Sequence, residues 1–214
     1  MTAGRTASAT GTDTAHVPAG SGRANQKKRT RDAIVRAAAE LMLTGREVSM
    51  PEIAKAALVS EATAYRYFPD LASLLREAMA DQLPDPAAVL DTVTDSEDPV
   101  ERVAAATDYL LRHVLARQGA VRAMIAATVV RPADAPARPG LRFGLIDQAL
   151  APLEPTLGAS DPDALQQLRT GLAVVVGAEA LFALTDLHGL EPETAIASLV
   201  HTARTLTRAS LAAT

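Results

Sequence analysis

Apolar residues recur three and four positions apart through most of the chain, which is the spacing of one face of an α-helix. The first such stretch predicts a helix over 26–43 with Ile34, Ala37 and Leu41 on its apolar side. Gly45 follows it, and glycine is the residue that most often ends a helix in a left-handed conformation. The chain is therefore expected to begin its folded part with an amphipathic helix.

Two short helices are predicted next, and only three residues connect them. Ser49 and Glu52 stand three apart and form a capping box for a helix over 50–57. Ser60 is placed to cap a second helix over 61–68. Two short helices joined by so short a turn are typical of a helix-turn-helix.

Further helices complete an all-α fold of about nine helices. Asp70 can cap a fourth helix over 71–82, and the proline-containing, acidic segment 83–98 is interpreted as a linker. Apolar stripes then predict helices over 99–117, 118–130, 141–152, 162–187 and 192–211. The segments 131–140 and 153–160 are predicted to be loops.

Composition supports a helical protein and removes several chemistries. Alanine, the best helix former, dominates, and aromatic residues make up only 3%. The absence of cysteine excludes disulfides, thiolate metal sites and a cysteine nucleophile, and it fits a reducing cytoplasm. The four histidines lack metal-ligand spacing, and there is no glycine-rich phosphate loop, so neither an enzyme, a metal site nor a cofactor is expected.

Charge is divided unevenly along the chain. Residues 1–80 hold 11 Lys and Arg against 8 Asp and Glu, whereas residues 81–214 hold 10 against 17. A basic front and an acidic back suggest that the N-terminal end meets a polyanion. No apolar run reaches the ~20 residues that a bilayer requires, so a membrane partner is not expected.

Half of the six aromatic residues lie in one short, polar segment, EATAYRYFPD. Phe68 has no polar atom and is expected to anchor this segment in the core, whereas the hydroxyls of Tyr65 and Tyr67 can bond phosphate oxygens. Polar side chains at the start of the same helix could reach base edges in a major groove. Candidate DNA-binding residues are Lys27, Lys28, Arg29, Arg31, Ser49, Ser60, Glu61, Ala62, Thr63, Tyr65, Arg66 and Tyr67. Semi-buried packing of the tyrosines and an ordinary solvated charge run are the structural alternatives.

The stretch SMPEIAKAALVSEATAYRYFPDLASLL, residues 49–75, resembles the DNA-binding signature of TetR-family transcriptional regulators. That signature is a Ser or Thr cap, Ile-Ala, Ala-Gly-Val-Ser, Thr-x-Tyr-x-Tyr/His-Phe and Leu-Leu. The matching residues are Ser49, Ile53, Ala54, Ala57, Val59, Ser60, Thr63, Tyr65, Tyr67, Phe68, Leu74 and Leu75. Two positions depart from it: Leu58 replaces the turn glycine, and Leu71 replaces a lysine that contacts the DNA backbone.

The resemblance implies a DNA-binding domain over 25–70, a connecting helix over 71–82 and an effector-binding and dimerisation domain over 83–214. The composition of residues 1–24, rich in Thr, Ser, Ala and Gly, predicts a disordered tail. The resemblance also implies a homodimer that represses transcription by binding a palindromic operator, and a cytoplasmic location is expected. The wide apolar surface of helix 162–187 and the apolar stripe of helix 192–211 predict that these two helices form the dimer interface. Candidate residues for an apolar small-molecule effector are Tyr109, His113, Met124, Thr128, Phe143, Gln148, Glu179 and Phe182. A helical dimeric interaction protein with lost or weak DNA binding is the alternative.

Overall fold

The computed structural model describes residues 20–80, 82–130 and 140–212, and within them every regular element is helical. The all-α class is therefore confirmed. The N-terminal region contains four helices: α1 (Gly20–Met42), α2 (Met50–Ala56), α3 (Glu61–Tyr67) and α4 (Leu71–Ala80).

Eight further α-helices follow, so the described residues contain twelve rather than about nine. They are α5 (Pro86–Val93), α6 (Pro99–Ala116), α7 (Gln118–Val130), α8 (Leu141–Leu150), α9 (Leu157–Ser160), α10 (Pro162–Val175), α11 (Ala178–Phe182) and α12 (Pro192–Ala212). A 3₁₀ turn over Ala151–Leu153 follows α8, and a π-helical stretch over Ala183–Leu187 follows α11. The three helices that the sequence pattern did not predict as separate elements, α5, α9 and α11, are all short.

The interpretation of 83–98 as a linker is wrong, because α5 occupies its centre. Asp85 caps this helix by accepting a hydrogen bond from the Ala88 amide at 3.2 Å, and Pro86 takes a first-turn position where its missing N–H costs nothing. Val89 and Leu90 are buried, and α5 packs against α8. Apolar burial over two turns thus outweighs the acidic, proline-containing composition that suggested a linker.

The single long helix predicted over 162–187 is also wrong, because the chain breaks after α10. Gly177 has extended backbone angles, with φ −179° and ψ 170°. A Cβ at this position would lie 2.5 Å from a guanidinium nitrogen of Arg142, so the break and the close approach of that side chain occur together. The periodicity of apolar residues continues across the break, which is why the sequence pattern does not reveal it.

Two other boundaries differ from the expectation. The helix predicted over 26–43 begins earlier, at Gly20, and α9 falls within the loop predicted over 153–160. Most of the predicted tail, residues 1–19, and most of the predicted loop, residues 131–139, lie outside the described residues.

Buried side chains from both halves of the chain form one continuous hydrophobic core, from Ile34 in α1 to Ala203 in α12. The two buried polar side chains among the described residues are Thr107 of α6 and Thr207 of α12. Each hydroxyl donates to the backbone carbonyl four residues earlier, at 2.6 and 2.9 Å. Their hydrogen-bonding capacity is therefore used within their own helices, while ion pairs between Arg112 and Glu193 and between Arg204 and Glu101 join α6 to α12.

No single helix among the described residues is both long and apolar enough to cross a membrane. Helix α10 and residues 178–187 together reach the length and apolar composition of a membrane span, but these two criteria are all they meet, and the chain bends by 43° between them.

Candidate nucleic-acid interface

The start of α2 is fixed by the predicted capping box. The Glu52 carboxylate accepts hydrogen bonds from the Ser49 amide at 3.0 Å and from the Ser49 hydroxyl at 2.6 Å. These hydrogen bonds lower the pKa of Glu52, and the bond from the Ser49 hydroxyl has the larger effect. Ile53 and Ala54 on the opposite side of α2 are buried. The side chain of Ser49 is thus engaged in holding the helix start.

The turn between α2 and α3 is closed by a leucine in the left-handed region. Leu58 has φ 56°, and it is the one non-glycine residue with positive φ in the described part of the chain. Its side chain is 93% exposed, so packing does not compensate for the backbone strain. The Val59 amide still donates to the Ala54 carbonyl at 3.0 Å. The helix-turn-helix geometry is therefore retained without the glycine that the family signature has here.

Helix α3 presents one face to the core and the other to solvent. Ser60 caps it by accepting a hydrogen bond from the Thr63 amide at 3.2 Å, as expected. Ala64 and Phe68 are buried, the latter at 2% exposure, which confirms Phe68 as the anchor. Tyr65 is 46% exposed. The solvent-facing candidates of this segment are Ser60, Glu61, Ala62, Tyr65 and Arg66, while Thr63 and Tyr67 are half-buried.

Arg31 is engaged within the protein. Its Nε donates to the Glu77 carboxylate of α4 at 2.9 Å, and its Nη1 lies 3.5 Å from the Tyr67 carbonyl oxygen. The guanidinium also stacks over the Phe68 ring, 4.4 Å from its centroid. Arg31 therefore joins α1, α3 and α4, and the structure gives this predicted DNA-binding residue a supporting position beneath α3.

A basic cleft of about 390 Å³ lies between the N-terminal turns of α1 and the C-terminal end of α3. It is lined by Arg23, Gln26, Lys27, Arg66 and Tyr67. Arg23 and Gln26 were missed from the sequence: Arg23 lies before the predicted helix start at 26, and Gln26 carries no charge that would mark it. The spacing of Arg23 and Lys27, four apart, was the signal that could have found Arg23.

The remaining basic residues of α1 point elsewhere. Lys28 and Arg29 are exposed but do not line the cleft, since each successive residue turns by about 100° around the helix. Leu71, at the start of α4, is half-buried against the core. At that position a leucine that packs against the core replaces the lysine of the family signature.

A second cavity, of about 80 Å³, lies where α4 meets the C-terminal helices. Met79 and Leu83 contribute to it from the connecting helix and the residues after it. Of the eight effector candidates, His113, Met124 and Glu179 line it. The other lining residues are Leu110, Val114, Val121, Leu141, Arg142, Gly177 and Ala178.

The other five effector candidates do not line this cavity. Phe143 is 55% exposed, Gln148 is exposed, and Tyr109 and Thr128 are half-buried. Phe182 is buried beneath the guanidinium of Arg122, which stacks 3.9 Å from the ring centroid. The candidates lie on helices that contribute to the cavity, but the sequence could not give the rotation of each helix about its axis.

The polar groups of the cavity are few. The Arg142 guanidinium donates to the Ala173 carbonyl at 3.1 Å, at the end of α10, and to the Glu179 carboxylate at 3.4 Å. Burial, with a smaller contribution from the nearby charge of Arg117, lowers the pKa of His113 to about 4. His113 is therefore neutral near pH 7, and an ion pair faces an otherwise apolar lining. No group of three or more side chains suited to a metal ion occurs among the described residues.

The second helix of the helix-turn-helix, α3, is capped, exposes a polar face and adjoins a basic cleft. These features define this chain as a helix-turn-helix DNA-binding protein. Residues 34–78 match the family described as bacterial regulatory proteins, tetR family. The fold resembles the crystal structure of a TetR transcriptional regulator from Rhodococcus sp. RHA1, with 25% sequence identity and a TM-score of 0.50. That similarity covers 85% of this chain and 97% of the other. Comparison with curated proteins gave no match. These similarities support a DNA-binding transcriptional regulator of the TetR type.

Proposed function

We propose that this regulator is a cytoplasmic homodimeric repressor that binds a palindromic operator through α3 and the basic cleft, and that releases it when a small apolar effector occupies the cavity beside α4. The observation that carries the DNA-binding part is the exposed face of α3. Tyr65 and Arg66 project from it, while Ala64 and Phe68 hold the opposite face in the core.

The basic cleft supports a phosphate contact beside the base-reading face. Arg23, Lys27 and Arg66 bring three cationic side chains around Tyr67, whose hydroxyl can donate to a phosphate oxygen. Ser60, Glu61, Ala62 and Thr63 form the first turn of α3, which is the part of a recognition helix that contacts base edges. We assign Arg31 and Ser49 a supporting role, since both are engaged in internal hydrogen bonds.

The cavity supports modulation by an effector. Its volume of about 80 Å³ is well below the ~300–1,000 Å³ of typical ligand sites, so an effector of ordinary size must widen it. Because Met79 of α4 is part of the wall, widening displaces the connecting helix of the DNA-binding domain. Such an effector shifts the population towards an arrangement with a different separation of the two reading helices.

Two observations on α10 support pairing with a second copy of the chain. Val174 is 71% exposed, and a Cβ at Gly171 would meet no atom within 4 Å. Glycine in a helix costs roughly 0.5–1 kcal/mol relative to alanine, and the packing within this chain does not require it. Close approach of a partner helix does, as expected for a four-helix interface built from α10 and α12 of two copies.

Duplexes covering the DNA that flanks the protein's own gene test the proposal by fluorescence anisotropy at several salt concentrations. The wild type is expected to bind one of them with a steep salt dependence. Tyr65→Ala is expected to abolish this binding without loss of helicity by circular dichroism. Tyr109→Ala, a matched tyrosine outside the interface, should bind as the wild type does. Unchanged affinity of the Tyr65 variant would reject α3 as the reading helix.

The alternative, a dimeric interaction protein with weak DNA binding, predicts a different result in the same titration. Leu58 and Leu71 are the features that favour it, since one strains the turn and the other removes a cation from the start of α4. On that alternative, binding would be weak and would not distinguish flanking duplexes from unrelated DNA of equal length.

A further inference from the structure

The corner between α6 and α7 lies directly against the loop that precedes α2. Only Arg117 separates the two helices. A Cβ on Gly119, in the first turn of α7, would lie 1.9 Å from the carbonyl oxygen of Arg46 and 2.7 Å from the amide nitrogen of Glu47. Both contacts are with backbone, so a side-chain rotation cannot relieve them. Position 119 therefore admits only glycine while the loop stays where it is.

The same loop also approaches the end of α6. Gly45 has φ 68°, and a Cβ there would lie 3.5 Å from the Ala116 carbonyl oxygen. The loop is held by its own hydrogen bonds, since the Gly45 amide donates to the Met42 carbonyl at 3.3 Å. Ser49, which caps α2, follows Arg46 by three residues. A displacement of the loop is thus carried to the first turn of α2 by a very short segment.

On its other side, the corner adjoins the cavity. Helix α6 contributes Leu110, His113 and Val114 to the lining, and α7 contributes Val121 and Met124. Gly119 precedes the first of these α7 residues by only two positions. Widening of the cavity between the two helices must therefore move the corner, or bend α7 within its first two turns.

We propose that Gly119 is a positioning residue that seats the DNA-binding domain on the effector domain, and that the α6–α7 corner transmits cavity widening to the α1–α2 loop. This inference rests on the proposed function, because it assigns a route by which the effector site acts on the operator site. The route is separate from α4, which reaches the cavity directly through Met79. The DNA-binding domain is thereby held at two points, α4 and the α6–α7 corner, and both points respond to changes in the same cavity.

Substitution of this glycine imitates the displaced state without an effector. In G119A the corner and the loop must separate by more than about 1 Å to reach an ordinary contact of 3.4 Å. We expect the operator Kd to rise at least about fivefold, the lower end of typical couplings between sites. Amide hydrogen exchange should accelerate at Gly45 and Ser49, whose amides are hydrogen-bonded in the wild type.

Two other glycines provide matched controls. A Cβ at Gly144 of α8 would approach the Pro86 side chain at 2.6 Å, away from the loop, and one at Gly140 would meet no atom within 4 Å. G144A and G140A should retain the wild-type Kd and the wild-type exchange at Gly45. Because alanine favours helix over glycine, G119A would gain thermal stability if the loop contact did not exist.

The possible outcomes distinguish failure of this inference from failure of the proposed function on which it rests. Wild-type Kd and loop exchange in G119A, or an equal loss of affinity in G144A, would overturn the role of Gly119 while leaving operator binding intact. Failure of the wild type to bind any flanking duplex would overturn the proposed function itself, and the transmission with it. If G119A does not fold, V121F enlarges α7 from the cavity side, and unchanged exchange at Gly45 in that variant would overturn the route.

Discussion

At the scale of single residues, Leu58 is the clearest departure from what its position favours. A left-handed backbone costs an L-residue roughly 1–2 kcal/mol, and this side chain gains almost no burial in return. The strain lies between α2 and α3, where it bears on the placement of the reading helix. The family signature identifies Leu58 as a departure from the sequence alone, whereas its left-handed backbone is known only from the structure.

Leu58→Gly should raise the free energy of unfolding by about 0.5–1 kcal/mol, since relief of strain exceeds the larger chain entropy that glycine adds to the unfolded state. Urea denaturation followed by circular dichroism measures the change. Ala56→Gly, at the exposed and helical end of α2, is the matched control and should lower stability instead. A loss of stability in both variants would contradict the strained turn.

His113 predicts a pH dependence that belongs to the cavity. The unfolded imidazole has a pKa near 6.5, whereas burial lowers the folded pKa to about 4. Between these values the unfolded chain takes up a proton that the folded chain does not, so the free energy of unfolding falls as pH decreases from 6.5 to 4. His113→Leu should flatten this slope, as measured by urea denaturation at several pH values.

Exposed His188 supplies the control, and His188→Asn should leave the slope between pH 6.5 and 4 as it is in the wild type. A slope that persists in His113→Leu would show that the buried imidazole does not titrate in this way.

At the scale of helices, local signals predicted what local interactions determine. Capping residues placed α2 and α3 within one residue of their observed ends, because each cap is completed within three residues. Contacts distant in sequence decided the remainder. Gly177 breaks α10 from α11 beside Arg142, 35 residues earlier in the chain, and burial against α8 makes a helix of the segment interpreted as a linker.

The candidate site divides in the same way. The outward face of α3 follows from the period of one short helix anchored by Phe68, so its residues could be chosen from the sequence. The cavity is lined by side chains from α4, α6, α7 and α8 and by the junction of α10 and α11. Which side of each helix faces it depends on how all of them pack, and no local pattern contains that information.

The N-terminal extension of α1 predicts a specific phosphate contact. Arg23→Gln should weaken operator binding and reduce the slope of log K against log salt by about one, because it removes one cation from the cleft. Anisotropy titrations across a series of salt concentrations measure this slope. Arg29→Gln removes the same charge from a position outside the cleft and should change the slope less. Equal effects of the two substitutions would show that the cleft has no special role.

At the scale of the whole molecule, one core joins a basic N-terminal region to an acidic C-terminal region. This division directs the basic end towards DNA and leaves the opposite end to other contacts. The continuous core also means that α3 and the cavity belong to one packed body, as the proposed coupling through α4 and the α6–α7 corner requires.

The proposed dimer is tested by filling the open space at Gly171. Gly171→Leu should raise the dimer dissociation constant by at least about fivefold, because overpacking a close helix contact costs about 1–3 kcal/mol. Sedimentation equilibrium measures the constant. Gly140→Leu introduces the same side chain at an open position on the N-terminal side of α8 and should leave association unchanged. Association that is unaffected in Gly171→Leu would place the interface elsewhere.

Hydroxyl-radical footprinting on the DNA flanking the gene, at low ionic strength, tests the central claim most directly. The wild type is expected to protect two symmetrical segments, with centres about one helical turn or slightly more apart. Tyr65→Ala is expected to protect neither. Absence of protection by the wild type, or an identical pattern from the variant, would contradict the assignment of α3 as the element that reads DNA.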